Sequence, residues 1–182
     1  MAIEEQMVRY AAPTLAGCKV ANLINLPQYI ASRRDLSYCQ RCLACNGVNI
    51  HVLLEKGGRK LIFVYRRTAL QRLLNECEVQ VFLAAYGYMD FSVEAALDQL
   101  ARHCATQGNF PHEIGIFLGY PLSDVQAFII HQGQNAKLTG YWKVYGNEEE
   151  ARKTFSLYSD CQIRLFAKYR QGVGLADLSA IG

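Results

Sequence analysis

VNIHVLLEKGGRKLIFVY, residues 48–65, requires a β-sheet in a chain whose other patterns are mostly helical. Its two halves, VNIHVLLE and KLIFVY, are rich in β-branched and apolar residues, which favour strands. Between them KGGR supplies two glycines that adopt positive φ without steric cost, as a tight turn requires. The stretch therefore predicts a β-hairpin.

Helical patterns surround this hairpin on both sides. Apolar residues recur at helical spacing, and Ser, Asp or Asn often stands where an N-cap is expected. Helices are predicted over residues 3–10, about 14–23, 35–45, 68–76, 78–87, 92–104, 123–133, 147–160 and 161–169, and further strands over 114–120 and 138–146. This order predicts an α+β fold, with an antiparallel or mixed sheet of about four strands packed with helices. No repeat or linker divides residues 1–182, so a single domain is expected.

Composition narrows the classes of function. The chain has 182 residues, 51% hydrophobic and 19% charged, which is typical of a globular protein. The net charge of +3 does not indicate nucleic-acid binding, and no apolar run approaches the ~18 residues of a membrane span. Seven cysteines without an export signal indicate reduced thiols. We therefore expect a cytoplasmic protein with no nucleic-acid or membrane partner.

Cys39, Cys42 and Cys45 form a CxxCxxC run that can begin an iron–sulfur site. The bacterial ferredoxin pattern needs a further cysteine followed by proline, and neither follows here. Buried cysteines at helical spacing are the favoured interpretation, so no metal and no cofactor is predicted. His51 and His131 lie within a predicted strand and a predicted helix, and both are interpreted as structural.

The segment FPHEIGIFLGYPLSDV, residues 110–125, places His112 at the start of a predicted strand. Such a histidine is often structural, but it also suits cysteine-dependent acyl transfer, in which a thiol at a helix N-terminus faces a histidine on a strand. A helix start is predicted near Pro13, and either Asp124 or Asn135 is a candidate to orient the His112 ring.

Four stretches carry a wider resemblance: APTLAGCKVANL, LIFVYR, PHEIGIFLGYPLSDV and GYWKVYG, which together span positions 12–146. The chain resembles domain-of-unknown-function family 3793 of anaerobic bacteria, and also the papain-like amide synthases of polythioamide (closthioamide) antibiotic biosynthesis. The resemblance implies a papain-like fold and a cysteine that takes an acyl group from an acyl or peptidyl carrier protein. An amine acceptor then receives the acyl group, which forms an amide.

The family's cysteine position is occupied by Ala11 in this sequence. Alanine cannot attack an acyl group, so the chain is interpreted as an inactive relative or as a Cys-to-Ala form. In the predicted site His112 is the general base and acid, and Asp124 is its orienter. Gln6 is a candidate for the oxyanion hole and Trp142 for an acyl channel.

Several alternatives stay open from the sequence. Cys18 is a rival nucleophile, seven residues beyond Ala11, and Lys19 is either a motif residue or a solvated helix residue. A cysteine peptidase or amidase would share the thioester intermediate and release it to water. A domain that binds a peptide, a carrier protein or a metabolite without turnover is the non-enzymatic alternative.

Overall fold

The computed structural model describes residues 3–106 and 110–180. The helices within these ranges are α1 Ile3–Leu15, α2 Arg33–Ala44, α3 Arg67–Leu74, α4 Cys77–Ala84, α5 Val93–Thr106, α6 Ile114–Phe117, α7 Leu122–Ile130, α8 Glu148–Arg170 and α9 Leu175–Ser179. The strands are β1 Ala21–Pro27, β2 Val48–Lys56, β3 Arg59–Arg66, β4 Leu138–Thr139 and β5 Lys143–Val144. The predicted α+β class is confirmed.

The predicted hairpin is formed by β2 and β3. The two strands pair antiparallel up to Lys56 opposite Arg59, which leaves a two-residue turn. Gly57 and Gly58 in that turn both have positive φ, so a side chain at either position would be strained. A shift in register between Val52 and Leu54 marks a β-bulge in β2.

The main sheet has the order β1-β3-β2, and both neighbours of β3 run antiparallel to it. Side chains of β3 alternate between two hydrophobic cores. Ile62 and Val64 pack with residues of α1, α2, α8 and α9, whereas Phe63 and Tyr65 pack with residues of α3 to α7. The sheet therefore lies between two layers of helices, and β3 is buried on both faces.

The predicted helix over residues 14–23 is wrong. The opening helix α1 continues through Pro13 to Leu15, a turn follows, and residues 21–27 form the edge strand β1. Gly17 at φ +75° ends α1, and the backbone N–H groups of Cys18 and Lys19 donate to the Pro13 carbonyl. Pro13 has no N–H, so one i→i−4 hydrogen bond of α1 is missing in its last turn.

The predicted strand over residues 114–120 is also wrong. Residues 114–117 form the short helix α6, which ends at Gly119 with φ +75°. The run is apolar because all four residues of α6 are buried, and periodicity cannot distinguish a short buried helix from a buried strand. Residues 138–146 contain the small hairpin β4–β5 instead of one strand.

The remaining helical predictions are confirmed, with two changes at their ends. The two helices predicted over residues 147–169 are one helix, α8, whose N-cap Asn147 accepts a hydrogen bond from the Glu150 N–H. The N-cap of α2 is Ser32, since its hydroxyl oxygen accepts from the Asp35 N–H. Among the described residues, no helix is both long and apolar enough to cross a bilayer.

Candidate functional site

A pocket of about 380 Å³ opens between the segment that leads into α6, the helix α7 and the β4–β5 hairpin. Its walls are mostly aromatic and aliphatic, and the side chains of Asp124, His112 and Lys143 also reach it. The lining residues include Phe110, His112, Ile114, Tyr120, Asp124, Val125, Phe128, Thr139, Trp142 and Lys143. A concave, largely apolar surface with few polar groups is typical of a small-molecule site.

Asp124, in the first turn of α7, is the polar residue that builds this pocket. Its side chain is 4% exposed, and its carboxylate accepts three hydrogen bonds. The donors are the Trp142 indole N–H at 2.8 Å and the backbone N–H groups of Tyr145 at 2.9 Å and Gly146 at 2.8 Å. Asp124 therefore fastens the β4–β5 hairpin to α7 and holds the Trp142 ring in one orientation.

Aromatic rings complete one wall of the pocket. The rings of Tyr120 and Trp142 stack with centroids 5.1 Å apart, and Phe155 of α8 meets Trp142 edge-on at 4.6 Å. The Tyr120 hydroxyl donates to the Tyr141 carbonyl at 3.0 Å. Because each ring has a fixed partner, this wall loses little conformational freedom when a ligand binds.

His112 and Lys143 are exposed at the rim of the pocket. The His112 ring meets Phe128 edge-on with centroids 5.2 Å apart, and the Lys143 ammonium lies 6.0 Å from the same Phe128 ring. Lys143 also donates to the Gly133 carbonyl. Within the described ranges no hydrogen bond joins His112 to Asp124, and Asn135 does not line the pocket. The role of Asp124 as the orienter of His112 stays a prediction.

Glu113, the neighbour of His112, is buried and lies against a histidine of α5. Glu113 is 1% exposed, and its carboxylate lies 2.6 Å from Nδ1 of His103 on α5. The Tyr88 hydroxyl donates to the same carboxylate oxygen at 3.5 Å. This network ties the segment before α6 to α5 and thereby sets the position of His112. Spacing alone did not indicate it, because His103 and Glu113 lie on different elements.

Ala11 and Gln6 lie elsewhere, in α1. Ala11 is 0% exposed in the core between α1 and the sheet, and it is not at a helix start as the sequence suggested. Gln6 is 3% exposed, and its amide nitrogen has no hydrogen-bond partner among the described residues. It borders a separate hollow beside β1. The structure thus brings His112, Asp124 and Trp142 together, and it does not bring Ala11 or Gln6 to their pocket.

Lys19 is buried beside this pocket and is not the solvated helix residue that the sequence allowed. It is 6% exposed in the turn after α1, and its ammonium lies over the rings of Tyr120 at 5.0 Å and Tyr158 at 5.7 Å. Desolvation lowers the pKa of Lys19 to about 8. Lys19 therefore supports the back of the Tyr120 wall.

The three cysteines of the CxxCxxC run differ in burial. Cys39 is buried in the core under α2, where burial raises its pKa to about 12, whereas Cys45 is exposed. Across residues 3–106 and 110–180, no three His, Cys, Asp or Glu side chains are grouped as metal ligands. The interpretation of Cys39 as a core residue agrees with its position in the structure.

Fold and pocket together define an α+β protein with a three-stranded antiparallel sheet between helical layers and an aromatic ligand-sized pocket. The chain belongs to DUF3793: the family described as "Protein of unknown function (DUF3793)" matches residues 7–179. Comparison with curated proteins and with solved structures finds no match. The family that the sequence motifs suggested is therefore confirmed.

Proposed function

We propose that this protein binds a small ligand with an apolar body and an anionic end, such as a short fatty acid or another acyl group, in the pocket beside Trp142. The observation that carries the proposal is the composition of that pocket: rigid aromatic and aliphatic walls, with the Lys143 ammonium and the His112 ring at the rim. Its volume of about 380 Å³ suits a ligand of that size.

The charges around the pocket favour an anionic end over a cationic one. The Asp124 carboxylate is buried and already accepts three hydrogen bonds, so it has little capacity left for a ligand cation. Lys143 and His112 are exposed at the rim, where a carboxylate can reach them without losing all of its water. The apolar body would lie between Phe128 and Trp142.

Several expectations from the sequence stay predictions. They are acyl transfer, the peptidase alternative, the papain-like fold, the carrier-protein and amine partners, and the cytoplasmic location. Binding without turnover is preferred here because Ala11 has no nucleophilic atom and its side chain is enclosed in the core. A pocket for an acyl group is also the feature that an inactive relative of an acyl-transfer enzyme would retain.

The sole tryptophan of the chain, Trp142, makes a direct test possible. We expect sodium octanoate to change the Trp142 fluorescence in a saturable manner, and octanol to bind about 5- to 10-fold more weakly, a difference of about 1 kcal/mol. Lys143→Met removes the ammonium at the rim. It should weaken the binding of octanoate by a similar factor, while the affinity for octanol should change by no more than about twofold.

Lys137→Met is the matched control, because Lys137 lies on the same hairpin segment but does not line the pocket. It should leave both titrations unchanged. No saturable signal with either compound, or equal loss in both lysine variants, would overturn the proposal.

An octanoyl thioester separates binding from turnover. We expect it to bind the protein with Ala11 without leaving an acyl adduct in the intact mass. Ala11→Cys tests the acyl-transfer prediction in the same assay. A mapped adduct on the new cysteine would support acyl transfer, whereas binding with no adduct would support a binding domain.

A further inference from the structure

We propose that Cys18 and Cys161 form a reversible disulfide, which makes this pair a redox modification site of the protein. Their Sγ atoms lie 3.2 Å apart, although the residues are 143 positions apart in the sequence. Cys18 lies in the turn after α1 and Cys161 lies in the middle of α8. A disulfide has sulfurs about 2 Å apart, so closure requires a movement of only about 1 Å.

The two thiols differ in their access to solvent. Cys18 is half-buried, and Cys161 is 1% exposed. Burial also raises the pKa of Cys161 to about 11. Cys18 is therefore the thiol that reacts first with an external disulfide, and Cys161 is the thiol that resolves the intermediate from within the protein.

Two arginine side chains lie close to the pair. The Arg66 guanidinium caps the end of α1 by donating to the Leu15 carbonyl at 2.6 Å, and it interacts electrostatically with Cys18. Arg164 reaches within 4.0 Å of the Cys161 sulfur. Positive charge near a thiol stabilises its thiolate and so promotes exchange.

The reaction balances with a low-molecular-weight disulfide such as glutathione disulfide as oxidant. The Cys18 thiolate attacks one glutathione sulfur, the S–S bond breaks, and one glutathione thiolate leaves. The Cys161 thiolate then attacks the Cys18 sulfur and releases the second glutathione. In sum, one glutathione disulfide is reduced to two glutathione molecules, and these take up the two protons that the protein thiols lose.

The other cysteines provide controls within the same chain. Cys45 and Cys77 are exposed, and among the described residues the hydrogen-bond-range contact between cysteine sulfurs is the one that joins Cys18 and Cys161. They can take up glutathione as mixed disulfides, but they have no resolving partner. The double variant Cys45→Ser/Cys77→Ser therefore removes this background without altering the proposed pair.

The test incubates that double variant with glutathione disulfide and maps the products by intact mass and peptide analysis. We expect loss of two hydrogens from the protein and a cross-linked peptide pair that contains Cys18 and Cys161. Dithiothreitol should reverse the change. Adding Cys18→Ser should abolish the cross-link, and adding Cys161→Ser should leave glutathione attached to Cys18.

Retention of all thiols under these conditions would overturn the proposal, and so would a cross-link between any other pair. Because Cys161 is buried, its replacement risks misfolding. If Cys161→Ser does not fold, the peptide map of the Cys45→Ser/Cys77→Ser variant and the result with Cys18→Ser are sufficient to test the proposed disulfide. Octanoate titration is a separate readout, so failure of the disulfide leaves the proposed ligand pocket untouched, and the reverse also holds.

Discussion

At the residue scale, Lys19 is unusual because its side chain is buried. No carboxylate among the described residues pairs with its ammonium group. Within the described ranges, the faces of Tyr120 and Tyr158 are the groups that compensate for the lost hydration of its ammonium. Cation–π contacts of this kind contribute about 0.5–2 kcal/mol, which is less than the usual cost of burying an ammonium ion. Lys19 is therefore expected to destabilise the fold in its charged form.

Replacing Lys19 with methionine should stabilise the protein at neutral pH. Because burial lowers the pKa of Lys19 to about 8 from 10.5, the charged form costs stability below pH 8. We expect Lys19→Met to raise the free energy of unfolding by about 1–3 kcal/mol at pH 7. Urea unfolding followed by circular dichroism measures the change.

The sign of the pH dependence provides the check. Between pH 8 and 10.5 the unfolded chain keeps the Lys19 proton and the folded chain has lost it, so the stability of the unsubstituted protein rises with pH. The advantage of Lys19→Met should therefore shrink across this window. Lys56→Met, at an exposed position, should show no such trend. An advantage that stays constant with pH would exclude desolvation of Lys19 as its cause.

At the scale of elements, the β4–β5 hairpin is too short to be stable alone and depends on its contacts with α7 and α8. Asp124 of α7 holds its backbone and Trp142, and Phe155 of α8 packs against its turn. Gly140 lies in that turn, and a methyl group added there would overlap the Phe155 ring. The absence of a side chain at Gly140 therefore brings the hairpin close to α8.

Gly140→Ala should lower the free energy of unfolding by about 1–3 kcal/mol, the usual cost of overpacking. It should also weaken octanoate binding, because displacement of Phe155 moves Trp142. Chemical denaturation and the Trp142 titration measure the two effects. In a protein that also carries Phe155→Ala, the Gly140→Ala substitution should lower the free energy of unfolding much less. An equal loss of stability with and without the Phe155 ring would show that overlap with Phe155 is not the cause of the destabilisation.

At the scale of the whole molecule, β3 joins the two hydrophobic cores. It pairs with β1 on one side and β2 on the other, and its side chains alternate between the helical layers. Opening its hydrogen bonds requires disruption of both layers, whereas either edge strand has one unpaired side. Local stability should therefore be highest in β3.

Hydrogen exchange provides the measurement of this expectation. The amides of residues 61–65 should exchange more slowly than those of β1, of β2 and of the short helices α6 and α9. Exchange in β3 should approach the rate set by global unfolding. Faster exchange in β3 than in α5 or α8 would mean that the two helical layers separate before the protein unfolds.

Local patterns determined much of the secondary structure. Two glycines that accept positive φ and β-branched flanks predicted the β2–β3 hairpin, and Asn147 with the acids after it predicted the start of α8. Motif similarity identified the family. In each case the signal lies within a few residues of the feature, where backbone sterics and capping hydrogen bonds act.

Tertiary structure alone decided the path after α1 and the composition of the site. Residues 14–23 have apolar spacing compatible with a helix, but pairing with β3 makes residues 21–27 a strand, and Ala11 is enclosed by that packing. His112, Asp124 and Trp142 share a pocket, whereas Glu113 with His103 and Cys18 with Cys161 meet across elements. Such contacts between distant segments depend on how helices pack around the sheet, and no local pattern encodes that arrangement.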